Sequence, residues 1–113
     1  MLSAEQIKHN YEAFISTIED YISSPRKEQL LTLYGSIEDI LLFAPASSRA
    51  SFHNSFEGGY IDHVNRVVEC ALELDTIWSN KGARTTTYTT EELVFTALNH
   101  DLGKLGIGSE PRY

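Results

Sequence analysis

The sequence predicts an all-α protein, a bundle of about five helices, and three observations predict it. Apolar residues recur at three- and four-residue steps through successive segments, as they do where one face of a helix is buried. Capping signatures stand ahead of two of those segments. One run, residues 83–90, carries five threonines (Thr85, Thr86, Thr87, Thr89, Thr90), but a strand there would have no partner strand, so it reads as an exposed connection.

The elements follow in order. Ile7, Tyr11, Phe14, Ile15, Ile18, Tyr21 and Ile22 form the stripe of a first helix, and Ser3 with Gln6 makes its capping box. Ser23-Ser24-Pro25 ends that helix and starts a second, with Pro25 suited to the first helical position and Leu30, Leu31, Leu33 and Tyr34 on the buried side. Gly35 fits a C-terminal stop, and Ser36 a cap for a short helix carrying Ile37, Ile40, Leu41 and Phe43, closed by Pro45. A small, polar, glycine-ended loop leads to the longest helix, from about Tyr60 to Trp78. Val64, Val67, Val68, Ala71, Leu74, Ile77 and Trp78 lie on its broad apolar face, with Cys70 as a small core side chain and Tyr60 and Trp78 as packing residues. Thr89 and Glu92 open a last helix through Leu93, Val94, Ala97 and Leu98, which delivers His100 and Asp101 at its end. The whole reads as one helical domain, 1–113, with N-terminal helices in 1–45 and the chemistry-bearing motifs in 50–106.

Composition excludes several function classes. Hydrophobic residues make up 42% and charged residues 22%, an ordinary globular balance. The net charge of -7 and the scattered basic residues give no stripe for a duplex nucleic acid, although a bound cation can still attract a small anion. The longest apolar stretch, Ile40 to Ala46, is too short to cross a bilayer. The first residues show no secretory leader, and the lone Cys70 has no internal disulfide partner, so a cytoplasmic setting is expected.

His63 and the pair His100-Asp101 fall on inward faces of two helices. Imidazoles with a carboxylate suit a divalent ion such as manganese, iron, nickel or zinc better than magnesium. Such an ion activates water and polarises a phosphoryl oxygen, which is hydrolytic chemistry without a side-chain nucleophile. No Walker loop, dinucleotide fingerprint or nucleophile elbow competes with that reading.

Two stretches resemble a known family. Phe52-His53-Asn54-Ser55-Phe56-Glu57-Gly58-Gly59-Tyr60-Ile61-Asp62-His63 is similar to the segment leading to the first metal-binding histidine of HD-domain (His-Asp) metal-dependent phosphohydrolases. Ala97-Leu98-Asn99-His100-Asp101-Leu102-Gly103-Lys104 is similar to that family's apolar-His-Asp-apolar-Gly-Lys signature. The resemblance spans roughly residues 50–106 and implies an HD-like helical fold. It implies metal ligation by His63, His100 and Asp101, a phosphate contact from Lys104, a pocket position for His53, and catalytic roles for Asp101 and Lys104. The implied reaction is hydrolysis of a nucleotide or other small phosphate ester by metal-activated water. The family pattern also carries a final aspartate on a later helix. None of the twelve residues after Asp101 is an aspartate, and Glu110 is the only acid there, so the chain reads as shortened before that ligand. Helix faces left uncovered by such shortening predict a homo-oligomer, most simply a two-fold dimer. The alternative reading is a catalytically inactive HD-like helical module serving ligand binding or oligomerisation.

Overall fold

In the computed structural model, the described residues are 2–46, 56–82 and 88–105. They form five α-helices and one 3-10 turn, with no strand among them: α1 (Ala4–Tyr21), α2 (Arg26–Ser36), α3 (Glu38–Phe43), α4 (Gly59–Asn80), α5 (Thr90–Asn99) and the 3-10 turn Leu102–Leu105. The all-helical class expected from periodicity is the class observed. Residues 83–87, most of the threonine-rich connection, lie outside the described residues.

Both expected capping boxes are present. Ser3 Oγ accepts from the Gln6 backbone amide while the Gln6 side chain accepts from the Ser3 amide, and Thr89 and Glu92 repeat the exchange at α5. Each satisfies two of the amides that the first turn of a helix leaves without intrahelical partners. The junctions around α2 differ from expectation. Pro25 stands just before the helix rather than at its first position. Gly35 and Ser36 belong to α2, and Ile37 joins α2 directly to α3, so Ser36 caps nothing. Its hydroxyl instead donates back to the Leu33 carbonyl. A serine that can reach a carbonyl of the preceding turn need not interrupt the helix.

The core gathers Phe14 and Ile18 of α1, Tyr34 of α2, Leu41 of α3, Tyr60, Ile61 and Val64 of α4, Val94 and Leu98 of α5, and Leu105 of the 3-10 turn. Phe14 meets Tyr34 edge-to-face, ring centroids 4.9 Å apart, the arrangement that aromatic quadrupoles favour. The helix α4 packs against α1, α3 and α5. Its start is tied to the end of α3, where the Tyr60 amide donates to the Ala44 carbonyl and the Gly58 amide to Phe43. Gly58 is left-handed (φ 79°), and a Cβ on it would come within 2.7 Å of Ile7 Cγ1. Glycine at this position therefore serves a tight turn and close packing on α1.

The far half of α4 departs from the sequence reading. Leu74, Ile77 and Trp78 are about half exposed (49%, 54% and 56%), and Cys70 is exposed rather than in the core. With 22 residues α4 is about 33 Å long, whereas the ten residues of α5 reach only about 15 Å. A continuous apolar stripe thus runs beyond the neighbours that bury its first half.

Candidate metal centre

Two helices running in opposite directions build the site. Tyr88, at the entry to α5, donates its hydroxyl to Asp75 in the later part of α4, while the end of α5 returns to the first turns of α4. His63, in the second turn of α4, thereby meets His100 and Asp101, which follow the last turn of α5.

The contacts converge on one carboxylate oxygen. Asp101 Oδ2 lies 3.3 Å from His63 Nε2, 3.0 Å from His100 Nε2 and 3.7 Å from Lys104 Nζ. The two imidazole rings are 5.5 Å apart between centroids. One donor atom from each of His63, His100 and Asp101 falls within 4.8 Å of the others, and among the described residues this is the one such cluster of three. An ion bound at about 2.1 Å places adjacent ligand atoms about 3.0–3.4 Å apart, so both histidine-to-aspartate separations fit shared coordination. The side chains of His63 and Asp101 are largely buried, and that of His100 is 31% exposed, which leaves an open side.

Local structure orients the donors. His100 Nδ1 lies 2.7 Å from the Ala97 carbonyl, one turn earlier in α5. A proton on Nδ1 donated to that carbonyl leaves Nε2 with its lone pair toward Asp101 and His63, the outer-sphere arrangement that fixes the tautomer of metal-ligating histidines. Asn99, just before His100, is held at both ends: its amide nitrogen donates to the Phe95 carbonyl and its oxygen accepts from the Tyr34 hydroxyl. Asp101 stands at a helix C-terminus, where the dipole disfavours an anion, and the histidines and Lys104 gather round it there. Lys104, on the 3-10 turn, also donates to the Ala46 carbonyl at 3.2 Å and keeps 37% of its side chain exposed at the edge of the cluster.

The structure thus brings together four of the residues singled out in the sequence: His63, His100, Asp101 and Lys104. His53 and Glu110 lie outside the described residues. Gly58, just before α4, lies close against Ile7 of α1. Sequence reasoning missed the Tyr34–Asn99 link, for which an amide side chain ending an otherwise apolar helix was the available signal. It also placed Tyr60 as plain packing, although its hydroxyl is buried without a hydrogen-bond partner among the described residues. Compared with protein-family models, with curated proteins and with solved structures, the chain matches none.

Proposed function

We propose that this chain is an HD-type metal-dependent phosphohydrolase that hydrolyses a nucleotide or other small phosphate ester, with His63, His100 and Asp101 holding one divalent ion. The observation that carries the reading is the convergence of both imidazole Nε2 atoms on Asp101 Oδ2 at 3.0 and 3.3 Å, from two helices distant in sequence. The two-stretch resemblance to HD phosphohydrolases supplies the reaction class. A donor set of two imidazoles and one carboxylate favours manganese, iron, nickel or zinc over magnesium. Bound there, the ion supplies Lewis acidity, polarising a phosphoryl oxygen and activating water near neutral pH.

The chain's own residues do the rest. Asp101 neutralises part of the ion's charge and, through its carboxylate, orients what enters the open side. His100 presents Nε2 because Nδ1 is engaged by the Ala97 carbonyl. Lys104, beside Asp101 yet partly exposed, is placed to offset the charge of an incoming phosphate. We include in this reading a two-fold homo-oligomer, supported by the exposed Leu74, Ile77 and Trp78.

Elemental analysis of purified protein tests the centre. The expected result is a transition metal near one per chain, lost in His63→Ala and in Asp101→Ala, with phosphate-ester hydrolysis that depends on it. No metal after reconstitution with manganese, nickel, iron and zinc would leave the cluster as a charged hydrogen-bond network and sink the hydrolase reading in favour of a non-catalytic helical module.

A further inference from the structure

Three polar contacts line one strip of α5. Glu91 accepts from the Ser23 amide and hydroxyl, both at 3.1 Å, and the Arg26 guanidinium lies 4.5 Å from the centroid of the Phe95 ring. The Asn99 oxygen accepts from the Tyr34 hydroxyl. Residues 91, 95 and 99 recur every four positions and so share a face, and their partners all come from α2 or the turn before it. Val94, Ala97 and Leu98 of α5 are buried in the core, but apolar attraction has no direction and does not by itself fix a register. Hydrogen bonds are directional and do. The contact nearest the candidate metal centre is more sheltered than the Ser23–Glu91 one: Tyr34 is fully buried and its ring is set edge-to-face on Phe14. The Asn99 side chain is held facing it, since its nitrogen donates to the Phe95 carbonyl. His100 and Asp101 follow Asn99 directly.

We propose that Tyr34 is a positioning residue of the metal centre: through Asn99, its hydroxyl holds the last turn of α5 in the register that aims His100 and Asp101 at His63. The inference rests on the reading of those three residues as metal ligands. Sliding a helix by one residue moves its end by about 1.5 Å and turns it by about 100°, whereas a metal centre needs its donors held to within about 0.5 Å. His63 comes from α4, so its 3.3 Å separation from Asp101 depends on how α5 lies along that helix. The Tyr34–Asn99 bond ties the end of α5 that carries the donors to α2, a helix that contributes no donor of its own among the described residues. Phenylalanine at position 34 would fill the same space without that bond, so position can be tested apart from packing.

The test is calorimetric titration of the whole chain, stripped with a chelator, with Mn²⁺ and, separately, Zn²⁺, at a temperature well below every melting transition. Wild type is compared with Tyr34→Phe, Asn99→Leu, the double variant and Glu91→Ala, which breaks the far contact of the same strip about 12 Å along the helix. Tyr34→Phe and Asn99→Leu are each expected to bind about tenfold more weakly, and the double variant no more weakly than Asn99→Leu, since both changes remove one bond. Glu91→Ala is expected to lower the melting temperature yet bind within about twofold of wild type. Wild-type affinity in Tyr34→Phe overturns this inference and leaves the metal centre standing. Equal weakening in Glu91→Ala, or losses that add in the double variant, makes the hydroxyl a contributor to stability alone and also overturns it, as does a Tyr34→Phe chain that does not fold. Absence of binding in the wild type overturns both readings.

Discussion

Tyr34 and Tyr60 are fully buried phenols, and burial pushes both pKa values above the ordinary tyrosine value of 10.0. In the unfolded chain both ionise near pH ~10, whereas in the fold both stay protonated to higher pH. Above that pH the unfolded state holds fewer protons than the native state, so stability falls as pH rises, by about 1.4 kcal/mol per pH unit for each tyrosine until the native phenol itself ionises. Below pH ~9 neither group contributes any pH dependence. Urea midpoints measured across this range are expected to be flat and then decline. Tyr34→Phe should shift the whole curve down by about 1 kcal/mol for the lost bond to Asn99 and shallow the alkaline slope by about half. An unchanged slope in that variant would show that Tyr34 does not carry the effect.

Among the elements, the junction into α4 and the end of α2 offer opposite outcomes for the same substitution. Gly58 is left-handed, and an added Cβ would meet Ile7 Cγ1 at 2.7 Å, too close to a methylene that is not the free end of its side chain. Gly58→Ala is expected to lose roughly 2 kcal/mol or more, from backbone strain and displacement of α1 together. Because α4 carries His63 two turns or less from that glycine, the proposed metal binding should weaken along with stability. Gly35 lies within α2 with open space around its Cα. There alanine restricts the unfolded chain and meets nothing, so Gly35→Ala is expected to gain about 0.5 kcal/mol. Thermal melts of the two variants decide the matter, and a loss in Gly35→Ala would contradict the helical assignment of that residue.

For the molecule as a whole, the exposed end of α4 sets the expectation for assembly. Leu74, Ile77 and Trp78 are each about half exposed, and Tyr88, at 36% exposure, lies beside Leu74 and Trp78. Sedimentation is expected to show a concentration-dependent dimer that Trp78→Lys shifts toward monomer; a clean monomer at roughly tens of micromolar would count against the interface. No helix among the described residues is long and apolar enough to cross a membrane.

Local sequence pattern settles what depends on neighbours within a turn or two. The capping boxes at Ser3 and Thr89, the stripe from Val64 to Val68 and the helical class all follow from local hydrogen bonding and from periodicity, and all are observed. His63, His100 and Asp101 were legible as donors because their motifs are local too. Packing between helices settles which parts of each stripe are covered and which polar atoms find partners. Val64 and Trp78 lie on the same apolar face by sequence, yet one is fully buried and the other 56% exposed, because burial depends on how far α1, α3 and α5 extend along α4. The convergence of three partners on a single Asp101 oxygen and the orphaned hydroxyl of Tyr60 belong to the same class. The convergence is set by the packing of α4 on α5, a relation between segments that no local pattern encodes.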